Sequence, residues 1–178
     1  MTSLPYFLGL DSLEKITTLK TPLALKKIKK KNKKSWIFWH TDFAPKEDNS
    51  RNFNVEFFLN FLLELENVKL VSLQVGDFEF PNCVENVGKD FKDWLDTYRA
   101  MEDLDLVVGI DSSPAHLSLL CGIQTLIILQ PRFDWRFGLY EFPKAKFYGG
   151  NTHLFVAHSK DLSVKNNLLE KIRKILES

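Results

Sequence analysis

The sequence predicts an α/β fold: an open, doubly wound, mostly parallel sheet with helices on both faces. Three observations carry this. From residue 35 onward, short apolar runs of strand length alternate with runs of helical spacing. The runs LDLVVGI (104–110) and QTLIIL (124–129) are apolar almost throughout, the pattern of strands buried on both faces. The turn Asp111-Ser112-Ser113-Pro114 then joins the first of them directly to an apolar helical stretch, as happens at the carboxyl edge of a parallel sheet.

Taken in order, the segment Ser35–His40 (SWIFWH) reads as a buried strand and the polar stretch Thr41–Asn54 as a loop. Val55–Leu65 has helix length and spacing, with Asn54 available to cap it. Lys69–Val75 is a second strand, ended by Gly76, and a short third strand is expected near Val84–Val87. Phe91–Glu102 reads as a helix, with Trp94, Leu95, Tyr98 and Met101 at three- and four-residue spacing. Leu104–Ile110 is a strand, Pro114–Cys121 a helix ended by Gly122, and Gln124–Leu129 a strand. A strand at Thr152–Val156 and a helix at Val164–Leu176 close the chain. Right-handed crossovers then place every strand-to-helix loop on one edge of the sheet, so a ligand is expected outside the carboxyl ends of the strands.

A length of 178 residues suits one domain, here 35–178, preceded by an N-terminal extension and basic linker, 1–34. Net charge is +1, which gives no general argument for nucleic acid. Seven lysines nevertheless crowd into Lys26–Lys34, without the aromatic or glycine pattern of an RNA-binding module. A solvated linker explains that run, and weak contact with an anionic membrane surface or acidic partner is the alternative. The two cysteines, Cys83 and Cys121, have no metal-ligand spacing, and His40, His116, His153 and His158 are scattered; no metal is expected. The N-terminus lacks the basic start and long apolar run of a signal peptide, so the expected location is cytoplasmic, with the inner face of the membrane open through the lysine run.

The helix start at Asp111–His116 is the chemically informative turn. Asp and Ser are N-cap types, Pro114 suits a first helical turn, and uncapped N–H groups with the helix dipole favour an anion such as a diphosphate. His116 lies one turn along, within reach of the same ligand. The alternative is a helix simply capped by Asp111 or Ser112, with His116 half-buried; both readings stand on this window alone. The loop Gln130–Gly138 adds Arg132, Trp135 and Arg136, forks for phosphate and a flat face for a base or sugar, or else a packed surface loop. Neither GxGxxG, GxxxxGK[ST] nor GxSxG occurs, which sets aside the usual dinucleotide, P-loop and α/β-hydrolase sites.

The stretch LDLVVGIDSSPAHLSLLCGIQTLIILQPRFDWRFG (104–138) resembles the C-terminal nucleotide-sugar-binding half of GT-B glycosyltransferases of the ADP-heptose–lipopolysaccharide heptosyltransferase type. It also resembles the tetratricopeptide-repeat-associated glycosyltransferase-like proteins. The matching residues are Asp111, Ser112, His116, Leu117, Gly122, Asp134, Trp135 and Arg136, with Asp96-Thr97 and Ser72-Leu73-Gln74 in support. The family's glycine after the first strand is Thr41 here, and its second loop tryptophan is Phe137. The resemblance implies a Rossmann-like half of a GT-B fold that binds a nucleotide-sugar donor as substrate, without a cofactor. Asp111, Ser112, Ser113 and His116 would hold the diphosphate, with His116 also a candidate for catalysis. Gln74, Thr97, Arg132, Trp135 and Arg136 would lie near the nucleoside and sugar. Hexosyl or heptosyl transfer would then need a separate acceptor-binding domain or subunit; a non-catalytic Rossmann-like module binding a nucleotide or a protein is the alternative.

Overall fold

The computed structural model describes residues 35–38, 59–60, 62–66, 68–131, 133, 137, 151–157 and 162–177. Six strands, β1 (Ser35–Phe38), β2 (Lys69–Ser72), β3 (Val84–Asn86), β4 (Leu106–Ile110), β5 (Gln124–Leu129) and β6 (Thr152–Val156), form one sheet in the order β3-β2-β1-β4-β5-β6. All five neighbouring pairs are parallel, with Ser35 opposite Lys69 and Trp36 opposite Leu106 setting the register around β1. This is a Rossmann-like α/β sheet, and its strand order reverses between β1 and β4.

Among the described residues, three helices of eight residues or more cover it: α1 (Trp94–Met101), α2 (Ser113–Leu120) and α3 (Leu162–Glu177). On one face, Leu168, Leu169, Ile172 and Ile175 of α3 pack with Leu62 and Leu65 onto Leu70, Leu106, Val108, Ile110, Leu126 and Ile128. On the other, Met101 of α1 meets Val71 and Val107, while Ala115 and Leu119 of α2 meet Ile127, Leu129 and Leu154. Alternate residues of β4 and β5 therefore enter different cores. That double burial removes the polar alternation from their sequences.

Several elements begin or end away from where periodicity puts them. The ladder of β2 stops at Ser72, not Val75, because the Ser72 hydroxyl accepts from the Gln74 N–H (3.1 Å) and turns the chain. Helix α1 starts at Trp94, not Phe91, with Asp93 as N-cap. The apolar spacing of that segment also misplaces its face: Trp94 and Leu95 are exposed, while Thr97 and Met101 are buried. The expected helix Val55–Leu65 is seen as helical residues at 59, 60 and 62; the lysine run, the first loop and Arg132, Trp135 and Arg136 lie outside the described residues.

Helix α2 ends by a defined device. Gly122 takes a left-handed conformation (φ +77°), and the N–H groups of Gly122 and Ile123 reach back to Leu119 and Ser118 carbonyls. Asn151 adds two side-chain donations from the β6 side, to Leu119 O (3.2 Å) and Ile123 O (2.9 Å). The helix is thus clamped at its far end, which fixes where its near end points.

Candidate functional site

The carboxyl ends of β1 and β4 flank the switch point, and β4 runs straight into Asp111, Ser112 and the first turn of α2. In open parallel sheets this is where ligands bind. Ser112 occupies the N-cap position in extended conformation (φ −148°, ψ 161°), yet its side chain makes no capping bond. Its hydroxyl instead donates backward to the Ile110 carbonyl at 3.2 Å. Pro114 has no N–H, and the intrahelical ladder begins with His116 N–H donating to Ser112 O (3.2 Å). The N–H groups of Ser113 and Ala115 are therefore outside that ladder, and the Ser112 side chain does not cap them. The simple capped-helix reading of Ser112 does not hold: the residue stands at the cap but does not cap.

Ser113 is exposed and Ser112 is buried (8% exposed). Beside them, His116 Nε2 lies 3.0 Å from Asp111 Oδ1, and the Phe137 ring stacks on the imidazole with centroids 6.2 Å apart and planes 15° from parallel. Phe137 is fully buried against α2, β5 and β6, so this aromatic of the 130–138 loop is a core residue touching the helix start.

Gln74 emerges past the end of β2 on the same edge and is 2% exposed. With β1 between β2 and β4, Gln74 and Ser112 stand two strand spacings apart, about 10 Å. The turn that holds Gln74 is backed by Gly88, where a Cβ would lie 2.3 Å from Gln74 O. Thr97 is buried (4% exposed) on the core face of α1. The structure thus brings Asp111, Ser112, Ser113 and His116 together, sets Gln74 along the same edge, and buries Thr97 in the α1 packing.

Sequence reasoning missed Ser72, Gly88 and Phe137 as supports of this edge. Ser72 and Phe137 enter the sequence reading only through the resemblance, whereas Gly88, just past a short strand, has a local signal, since a glycine there marks close backbone approach. A hollow of about 360 Å³ lies elsewhere, among Glu64, Leu65, Glu66, Val68, Arg173, Leu176 and Glu177. Its three carboxylates against one guanidinium make it the wrong sign for a phosphate. Among the described residues, no group of three or more His, Cys, Asp or Glu side chains is placed to hold a metal ion.

No family model and no curated protein sequence matches the chain significantly. Two solved structures do: E. coli heptosyltransferase WaaC with ADP-2-deoxy-2-fluoro heptose (TM-score 0.55, 15% identity) and the same enzyme with ADP (TM-score 0.54, 15% identity). The similarity covers 80% and 82% of this chain but 43% and 45% of those, so the chain spans less than half their length. At this identity the likeness is one of fold: the chain has the architecture of one half of a GT-B glycosyltransferase.

Proposed function

We propose that this chain is a donor-binding domain of a glycosyltransferase-like protein, the C-terminal half of a GT-B pair, which holds a nucleoside-diphosphate sugar at the start of α2. The observation that carries the reading is the uncapped first turn of α2 at the topological switch point. The Ser113 and Ala115 N–H groups, the positive end of the helix dipole and the Ser113 hydroxyl all belong to that turn, donor types suited to a dianionic diphosphate. As the glycosidic bond breaks, negative charge grows on the leaving diphosphate, and donors already aimed at it stabilise that charge without reorganising. Gln74 then serves the nucleoside end of the ligand. An acceptor-binding half would supply the base that deprotonates the acceptor hydroxyl. The solved structures of similar fold hold ADP and an ADP-sugar analogue, which supports a nucleotide-sugar ligand for this half.

Titration of ADP, UDP and GDP into the full chain by calorimetry tests this. Saturable binding of at least one, in the micromolar to millimolar range (about −8 to −4 kcal/mol), is expected. The Ser113→Asp variant separates site from fold. A carboxylate at an exposed first-turn position leaves stability unchanged or raises it by about 0.3–1 kcal/mol, but repels the ligand phosphates. Affinity should fall at least about tenfold. If folded wild-type protein binds none of the three nucleotides, the donor-domain reading is wrong. Binding with no transfer in the presence of any acceptor half favours a non-catalytic nucleotide-binding module.

A further inference from the structure

Asp111 poses an electrostatic problem for the donor site. Its side chain is 9% exposed and stands immediately before the N-cap, where a carboxylate suits the helix dipole but opposes a diphosphate. The geometry gives that carboxylate a partner of its own in the imidazole: His116 Nε2 is 3.0 Å from Asp111 Oδ1. The two residues are five apart in sequence and join across the N-cap, outside the three- and four-residue spacing at which helix neighbours meet. Phe137 fixes the third degree of freedom by stacking on the ring.

We propose that Asp111 is a positioning residue for His116 and not a contact of the anion. Its carboxylate accepts the Nε2–H of the imidazole, which in the neutral ring selects the tautomer protonated at Nε2. With Phe137 behind it, the ring plane is locked against the start of α2. The selected tautomer and ring plane follow from this chain's own contacts; the ligand they serve rests on the donor-site reading.

Two readouts test the two parts separately. Long-range proton–nitrogen NMR on histidine-labelled full chain at about pH 8, with His116 assigned from a His116→Gln variant, reports the tautomer without any ligand. The Nε2–H form is expected in the wild type and in Asp111→Asn, whose amide oxygen still accepts, and a mixture of both forms in Asp111→Ala. The Nδ1–H form in the wild type overturns the proposal, whatever nucleotides do. The second readout is the sign of the affinity change for ADP. Were Asp111 merely a negative charge near the phosphates, Asp111→Ala would bind more tightly. As a positioning residue, its loss weakens binding about tenfold, with Asp111→Asn recovering most of it. Equal or tighter binding by Asp111→Ala, or tighter binding by Asp111→Asn, overturns the positioning role; absence of nucleotide binding by the wild type overturns the donor reading and leaves the tautomer result to decide the pairing. Should Asp111→Ala fail to fold, Asp111→Ser, which also removes the carboxylate, takes its place in both comparisons.

Discussion

Gly88 and Cys121 show how single residues set the edges of this fold. Gly88 is buried where the short 3₁₀ turn Gly88–Asp90 passes behind the end of β2, and a methyl group there meets backbone atoms of Leu73 and Gln74 at 2.3–2.6 Å. Backbone cannot rotate aside as a side chain can. The Gly88→Ala variant should lose about 1–3 kcal/mol, read as a lower urea midpoint, because the turn must move off Gln74. Cys121, the C-cap of α2, is 2% exposed, and burial pushes its thiol up from 9.0 to about 11. Above pH 9 the unfolded thiol ionises while the folded one keeps its proton, so this residue's contribution to stability is full below pH 9 and is lost as pH rises toward about 11. Urea midpoints near pH 8 and pH 10.5 should show the gap between wild type and Cys121→Ala narrowing at the higher pH. The contact between Asp111 and His116, by contrast, is not legible in the sequence, although both residues are: a five-residue separation belongs to no regular periodicity, and only the turn geometry at Ser112 closes it.

Among the elements, those governed by burial were legible and those governed by local hydrogen bonds were not. The strands β5 and β6 run over the ranges their apolar residues predict, Gln124–Leu129 and Thr152–Val156. Helix α1 was misjudged because Phe91 continues the apolar spacing and packs into the same core cluster as Met101, although it precedes the helix. The true start is marked by Asp93, whose Oδ1 accepts from Leu95 N–H (2.8 Å) and Asp96 N–H (3.1 Å), while Asp96 Oδ2 accepts from Lys92 N–H (3.0 Å). That reciprocal pair is a variant of the capping box, with Asp in both roles. Asp93→Ala should therefore cost about 1 kcal/mol, measurable by thermal unfolding, with little effect on the sheet. The same comparison explains α2. Ser112 carries the cap residue type, but its hydroxyl is committed to Ile110, and residue type alone does not say which backbone group a hydroxyl chooses.

Across the whole molecule, topology made the location of the candidate site legible before any of its contacts were. Alternating strands and helices, a shared hand of crossover and the run-on from β4 into α2 are enough to put Asp111–Ser113 on the ligand edge. What they leave open is the chemistry of that edge, since hydroxyl direction, ring pairing and the depth of Thr97 depend on side-chain packing. Strand order has one more consequence. The strand β1 is early in the chain but central in the sheet, hydrogen-bonded on one side to β2 and on the other to β4. Pairs such as Trp36 with Leu106 close only after the intervening chain exists and has folded back. The sheet then assembles through long-range contacts, a high contact order that slows folding relative to helical proteins of similar size. During synthesis, β2 and β3 are made well before β4, so the emerging chain carries an open β1 edge until residues 106–108 arrive; deletion of that one short strand would leave β3-β2 and β4-β5-β6 as two ribbons without a shared ladder.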